Sequence, residues 1–162
     1  MNYAGVDVGK SGAITIMDEY GEIVSTMPKV PWESDRLGAR EIYERFSVWA
    51  KDGLTVTVEK VNSFGQGRTS AFTFGRSVGG IMAVIDILKL PYIPVTPQTW
   101  KKTMMVGYNY KEDGKGASIK CAYDLFPTLR PKLKLKSSHN LAESALIAEY
   151  GRRIISRRLD NA

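Results

Sequence analysis

The chain opens on three short runs rich in β-branched and apolar residues, at about residues 3 to 9, 12 to 18 and 22 to 27. They are separated by the turns Gly9-Lys10-Ser11-Gly12 and Glu19-Tyr20-Gly21. Short glycine-bearing turns between such runs predict an antiparallel three-strand meander. The apolar period then lengthens: Ile42, Phe46 and Trp49 share one face of a helix predicted over residues 38 to 51, with Gly53 to end it. A β-branched strand from Leu54 to Val61 follows, then a helix from about 69 to 89 in which Gly75, Gly79 and Ala83 recur every four residues. Residues 91 to 96 read as a short strand, and Pro97 starts a helical turn reaching about Lys102. A polar, turn-rich loop over 107 to 116 leads to a helix from about 117 to 126. Pro127 and Pro131 break the pattern before a final helix from about 138 to 157. A meander followed by alternating helix and strand predicts one α/β domain over residues 1–162, with a mixed sheet flanked by helices.

A few charged positions interrupt this pattern. Asp7 stands between Val6 and Val8 in the first strand, where an ionised group costs several kcal/mol to desolvate unless it is paired or bound to a metal. Glu59 closes the strand that begins at Leu54, ahead of another glycine-containing loop. In the final helix Asn140 and Glu143 lie i,i+3 on one face. Taken singly, each could be a solvated strand end or helix surface. Together they would repel unless cations sat between them.

The Asp-x-Gly sequence at Asp7 to Gly9, the strand-closing Glu59 and the segment from His139 to Leu146 resemble the RuvC family of Holliday-junction resolvases, nucleases of the RNase H-like superfamily. The agreement in motif order extends from Asp7 to about Arg153. The resemblance implies an RNase H-like α/β fold and Mg²⁺-dependent endonuclease chemistry with two cations, for which Mn²⁺ can substitute. It also implies a homodimer acting on four-way junctions, and on forks, flaps or D-loops for compact phage-type members. It assigns Asp7, Glu59, Asn140 and Glu143 as catalytic metal ligands, Asp7 bridging. This chain departs from the family at Asn140, where Asp or His is usual: an amide oxygen can contact a cation but lacks the carboxylate charge, and the adjacent His139 could substitute in part. The helix carrying Gly75, Gly79 and Ala83 corresponds to the family's subunit interface, the rival being packing onto the sheet within one chain.

Composition narrows the partners. Of 162 residues, 23 are Lys or Arg against 17 Asp or Glu, a net charge of +6. The basic residues are segregated: Lys101, Lys102, Lys111, Lys115 and Lys120 in one stretch, Arg130, Lys132, Lys134 and Lys136 in another, and Arg152 to Arg158 near the end. Such clusters suit a phosphate backbone, the alternative being a solubilising surface. Alternation places Lys132, Lys134 and Lys136 in one row if the segment is extended. Lys10 beside Asp7, and Phe64 with Arg68 and Arg76, complete the DNA-contact set; an exposed Phe64 could stack on an unpaired base, or pack in the core. A lone Cys121 excludes an internal disulfide framework or a cysteine zinc site and reads as core. No stretch approaches the ~20 apolar residues a membrane helix needs, and no basic-then-apolar leader opens the sequence, so a soluble, cytoplasmic protein is expected.

Two other functions fit parts of the pattern. The Asp7-to-Gly12 turn also resembles the phosphate loop of actin-like ATPases, but those need a second such motif, which is missing here. A chain with Asn140 could also bind branched DNA without cutting it.

Overall fold

The structure, a computed structural model, describes residues 1–9, 11–30, 38–60 and 67–159, apart from the side chains of Arg68 and Leu159. The elements run β1 (Asn2–Asp7), β2 (Ala13–Asp18), β3 (Ile23–Met27), α1 (Ala39–Ala50), β4 (Leu54–Glu59), α2 (Arg68–Ile87), β5 (Tyr92–Val95), α3 (Pro97–Met104), α4 (Gly114–Leu125) and α5 (His139–Leu159). The sheet order is β3-β2-β1-β4-β5. The meander is antiparallel, while β1 pairs in parallel with β4 and β4 with β5.

Period-two alternation divides the strand residues between two cores. Ala4, Val6, Ile14, Ile16, Val56 and Val58 face α1 and α2, where they meet Ile42, Phe46, Ile81, Val84 and Ile85. Tyr3, Met17 and Val95 face the other way, against Trp100, Cys121, Leu141, Ala145 and Ala148 from α3, α4 and α5. Cys121 is fully buried, as its helical setting predicts.

Where α5 crosses the sheet, the sheet face carries small and polar residues, Gly5, Thr15 and Thr57, and this sets how closely the helix lies. A Cβ on Gly5 would run into the Ser144 carbonyl and the Ala148 amide, and one on Gly151 into the Thr57 hydroxyl. At the same crossing Thr15 Oγ1 and Ser144 Oγ share a buried hydrogen bond of 2.7 Å. Register and height of α5 over β1 are thereby fixed, one residue from Glu143.

Element bounds differ from the sequence reading where capping decides them. α4 starts at Gly114 because the Asp113 carboxylate accepts from the Gly116 amide at 3.0 Å, inside a stretch whose glycines suggest only a loop. α3 extends to Met104, capped by Thr96, whose Oγ1 accepts from the Thr99 amide at 3.3 Å. The expected row of Lys132, Lys134 and Lys136 does not form, because Pro127–Lys132 and Lys136–Ser138 coil into 3-10 turns. Lys132 reaches back to Thr26 Oγ1 of β3 at 3.0 Å, while Lys134 and Lys136 stand over α4. In α2, Gly75, Gly79 and Ala83 are exposed and Phe72 is 69% exposed, so the stripe faces away from the sheet rather than packing on it.

Candidate active site

Asp7 and Glu59 end adjacent parallel strands, each one residue beyond the paired positions Val6 and Val58. Equal offset in a parallel pair sends both carboxylates to the same face, the one covered by α5. Ligand and catalytic sites in α/β sheets collect at such carboxyl ends. α5 brings Glu143 to this corner, and Ser118 of α4 donates to Glu143 Oε1 at 2.9 Å. Thus three carboxylates from β1, β4 and α5 share one corner.

Their electrostatics record the crowding. Asp7 is buried, and burial first, then the charges of Glu59 and Glu143, push its carboxyl well above the usual range, with Lys101 opposing. Burial also raises Glu59; the Trp100 hydrogen bond holds it back, Glu143 raises it, and Lys101 lowers it. Among the described residues no side chain donates a hydrogen bond to the Asp7 carboxylate.

α3 supplies two adjacent contacts that the sequence reading assigned otherwise or missed. Trp100 Nε1 donates to Glu59 Oε1 at 2.8 Å, and Lys101 Nζ pairs with Glu143 Oε1 at 3.0 Å. Lys101, expected on a phosphate, therefore neutralises a carboxylate here, with its ammonium 5.0 Å from the Trp100 ring centroid. Trp100 had one legible signal: a tryptophan in the first turn of a helix that follows a parallel strand stands near the strand ends. Trp100→Phe keeps most of the buried ring and removes the N–H. It is expected to lower the melting temperature by roughly 3–10 °C at pH 8, from about 1.5–3 kcal/mol for a bond to a charged acceptor. The loss should be smaller at pH 4, where Glu59 is protonated, and melts at the two pH values check it.

Asn140 and His139 have separate roles in this geometry. Asn140 Nδ2 donates to the Ser11 carbonyl at 2.6 Å, tying α5 to the turn after β1. His139 Nδ1 lies 3.1 Å from the Lys136 carbonyl, a contact that a protonated Nδ1 satisfies and that leaves Nε2 as an acceptor. His139 and Glu143, one helical turn apart, line a hollow of about 470 Å³ with Lys101, Asp113, Lys115 and Lys136.

The donor chemistry suits hard divalent cations: buried carboxylate oxygens whose like charges raise one another's proton affinity. Their spacing is not yet that of a ligand shell. Among the described residues no three His, Cys, Asp or Glu side chains are gathered closely enough to hold a metal ion as they stand.

Of the remaining sequence assignments, Lys102, Lys120 and Arg76 are exposed, and Arg76 lies on α2, in the layer opposite α5. Lys10, Phe64 and the side chain of Arg68 lie outside the described residues. No helix among the described residues is long and apolar enough to cross a membrane.

No protein-family model matches the chain, and no curated protein matches it significantly. Solved structures do. A Thermus thermophilus RuvC structure is 18% identical with a TM-score of 0.61, the match covering 94% of this chain and 96% of that one. A T. thermophilus RuvC in complex with Holliday junction substrate is 18% identical with a TM-score of 0.58, covering 91% of this chain and 90% of that one. The chain therefore has the RuvC fold, an RNase H-like sheet of parallel and antiparallel strands flanked by helices.

Proposed function

We propose that the chain is a metal-dependent endonuclease that hydrolyses phosphodiesters in branched DNA, with the Holliday junction as its leading substrate. The observation that carries this reading is the convergence of Asp7, Glu59 and Glu143, one from each of β1, β4 and α5, at the carboxyl ends of parallel strands. Two Mg²⁺ ions would supply an activated water, charge neutralisation on the phosphoryl group and stabilisation of the departing oxygen. Asp7 would bridge them, with Glu59 and Glu143 as further ligands. Lys101, beside the same corner, would be placed to meet the scissile phosphate, and Lys102, Lys115 and Lys120 would hold the flanking backbone.

The fourth ligand position has two claimants. Asn140 has no hydrogen bond at Oδ1 from the described residues while its amide nitrogen serves Ser11; His139 has the second-nitrogen support that metal-bound histidines use. The outward Gly75, Gly79 and Ala83 stripe with Phe72 is the face on which two subunits would meet, pairing two like sites with the two like strands of a junction. Sedimentation showing only monomer at micromolar concentration would remove the dimer from this reading.

The test is cleavage of labelled four-way junction, fork and linear duplex, with and without Mg²⁺, by the parent, Asn140→Asp and His139→Ala. Paired symmetric nicks in the junction are expected. His139→Ala should lower cleavage about 10–100-fold if Nε2 is a ligand. A gain in Asn140→Asp with His139→Ala unchanged would move the ligand to position 140. A specific observation favours one second reading: Glu143 is paired with Lys101 and the carboxylates are not closely gathered. Junction binding without product from any form, in Mg²⁺ or Mn²⁺, would select a non-cleaving DNA-binding protein.

A further inference from the structure

The hollow beside Glu143 does not end at its own rim. It shares Gly116 and Lys136 with a second groove of about 430 Å³ between α4 and the segment after the first 3-10 turn. Ile119 and the buried Leu133 line this groove, with Tyr123 46% and Leu135 67% exposed beside them. Lys120, Lys134 and Lys136 surround the apolar surface. Arg130 fixes the tyrosine from outside: its Nε donates to the Tyr123 carbonyl at 3.0 Å and its guanidinium sits 5.0 Å from the ring centroid. The lone acid of the groove, Asp124, is engaged by the Tyr108 hydroxyl at 2.9 Å and by Lys120 at 3.5 Å. The result is an aromatic and aliphatic surface under a positive field, continuous with the carboxylate corner.

We propose that this groove holds an unpaired nucleic-acid strand leading away from the carboxylate corner, a base stacking on Tyr123 beside Leu135 and phosphates meeting Lys134 and Lys136. The inference rests on the nuclease reading only for the direction in which the strand leaves. Charge selects the class of occupant: a polyanion with flat apolar faces matches a cationic rim around an exposed ring, whereas an acidic peptide offers no ring faces to stack. Pairing state follows from accessibility. A duplex keeps its base faces stacked inside and can offer this surface only phosphates and sugars, which would leave Tyr123 and Leu135 without a partner.

Binding measured in Ca²⁺, independent of any cleavage, tests this on three labelled DNAs: blunt duplex, duplex with a single-stranded arm, and four-way junction. Tyr123→Ala is expected to weaken binding of the armed duplex about 5- to 100-fold while leaving blunt duplex within about twofold. Tyr123→Phe should bind as the parent does, and Leu135→Ser, at a more exposed position, should repeat the selective loss more weakly. Lys134→Gln and Lys136→Gln should weaken all three DNAs and lower the salt slope, by about 0.7–0.9 for each phosphate left without its lysine. Equal losses on blunt and armed duplex, or no loss in Tyr123→Ala and Leu135→Ser, would overturn the groove assignment. Cleavage of junction in Mg²⁺ is scored separately. A chain that cuts nothing yet shows the selective Tyr123 loss keeps the groove and loses the nuclease; one that cuts normally with no Tyr123 effect does the reverse.

Discussion

Asp7→Asn should melt several degrees above the parent in cation-free buffer at pH 8 and lose Mg²⁺-dependent cleavage by about 10³-fold or more. The two effects have one cause. Asp7 is a buried carboxylate facing Glu59 and Glu143, with no hydrogen-bond donor among the described residues, and its pKa lies well above the ordinary 3.8. The native state therefore holds the proton more tightly than the unfolded chain does. Unfolding free energy then falls as pH climbs from about 3.8 through the raised value, and above it the full penalty is present. Asparagine removes the charge, keeps the shape and abolishes that slope. At roughly 1–3 kcal/mol for an uncompensated buried group, the gain is roughly 2–10 °C at pH 8, vanishing near pH 3. Mg²⁺ should raise the parent's melting temperature and leave the variant's nearly unchanged, since only the parent has a charge there for the cation to meet. A variant that melts below the parent at pH 8 would mean the charge of Asp7 is already compensated, and the site would lose its main physical support.

Glu149, six residues beyond Glu143 on α5, is the internal comparison. It is as buried as Asp7, and burial alone pushes its carboxyl up. Arg152 grips both its oxygens, at 2.7 and 2.8 Å, and Arg153 adds a bond of 2.7 Å; together they bring the pKa below the ordinary value. Arg152 also donates to the Glu19 carbonyl, tying α5 to the β2–β3 turn. Within one helix, then, Glu149 is held by two arginines, one of which ties α5 to the fold, whereas Glu143 has one lysine and one hydroxyl and its charge still raises Asp7 and Glu59.

Much of this was legible from residue periods. The meander, the strand carrying Glu59 and the helices came from alternation and four-residue spacing, because each strand and helix buries a face whose period the sequence carries. Asp7 stood out for the opposite reason, as a charge inside an apolar strand, while Glu59 and Glu143 were singled out by their places at a strand end and on a helix face and by the resemblance. What stayed hidden is set across the chain rather than along it. The Trp100–Glu59 and Lys101–Glu143 contacts join residues 41 and 42 positions apart, and the Asn140–Ser11 bond spans 129. No local pattern records such pairs. The 3-10 turns around Pro131 defeated the expectation of an extended lysine row because alternating Lys and Leu fits a tight turn and a strand equally well.

The sheet–helix crossing carries the second large effect. Gly5→Ala is expected to cost about 3 kcal/mol, a fall of roughly 6–12 °C, although it adds a single methyl group. The atoms that the new Cβ would meet are the Ser144 carbonyl and the backbone of Ala148, which cannot swing aside as a side-chain tip can. Relief requires α5 to rise from β1, and that motion breaks the Thr15–Ser144 bond and carries Glu143 away from Ser118 and from Asp7. Cleavage should therefore fall even at 15 °C, well below the melting transition, with no proposed ligand altered. Ala148→Gly in the same chain discriminates this cause from ordinary side-chain crowding. Because the clash is with backbone, the second substitution should give no rescue; a double variant that regained the parent's melting temperature would show that the helix sits higher on the sheet than this geometry places it.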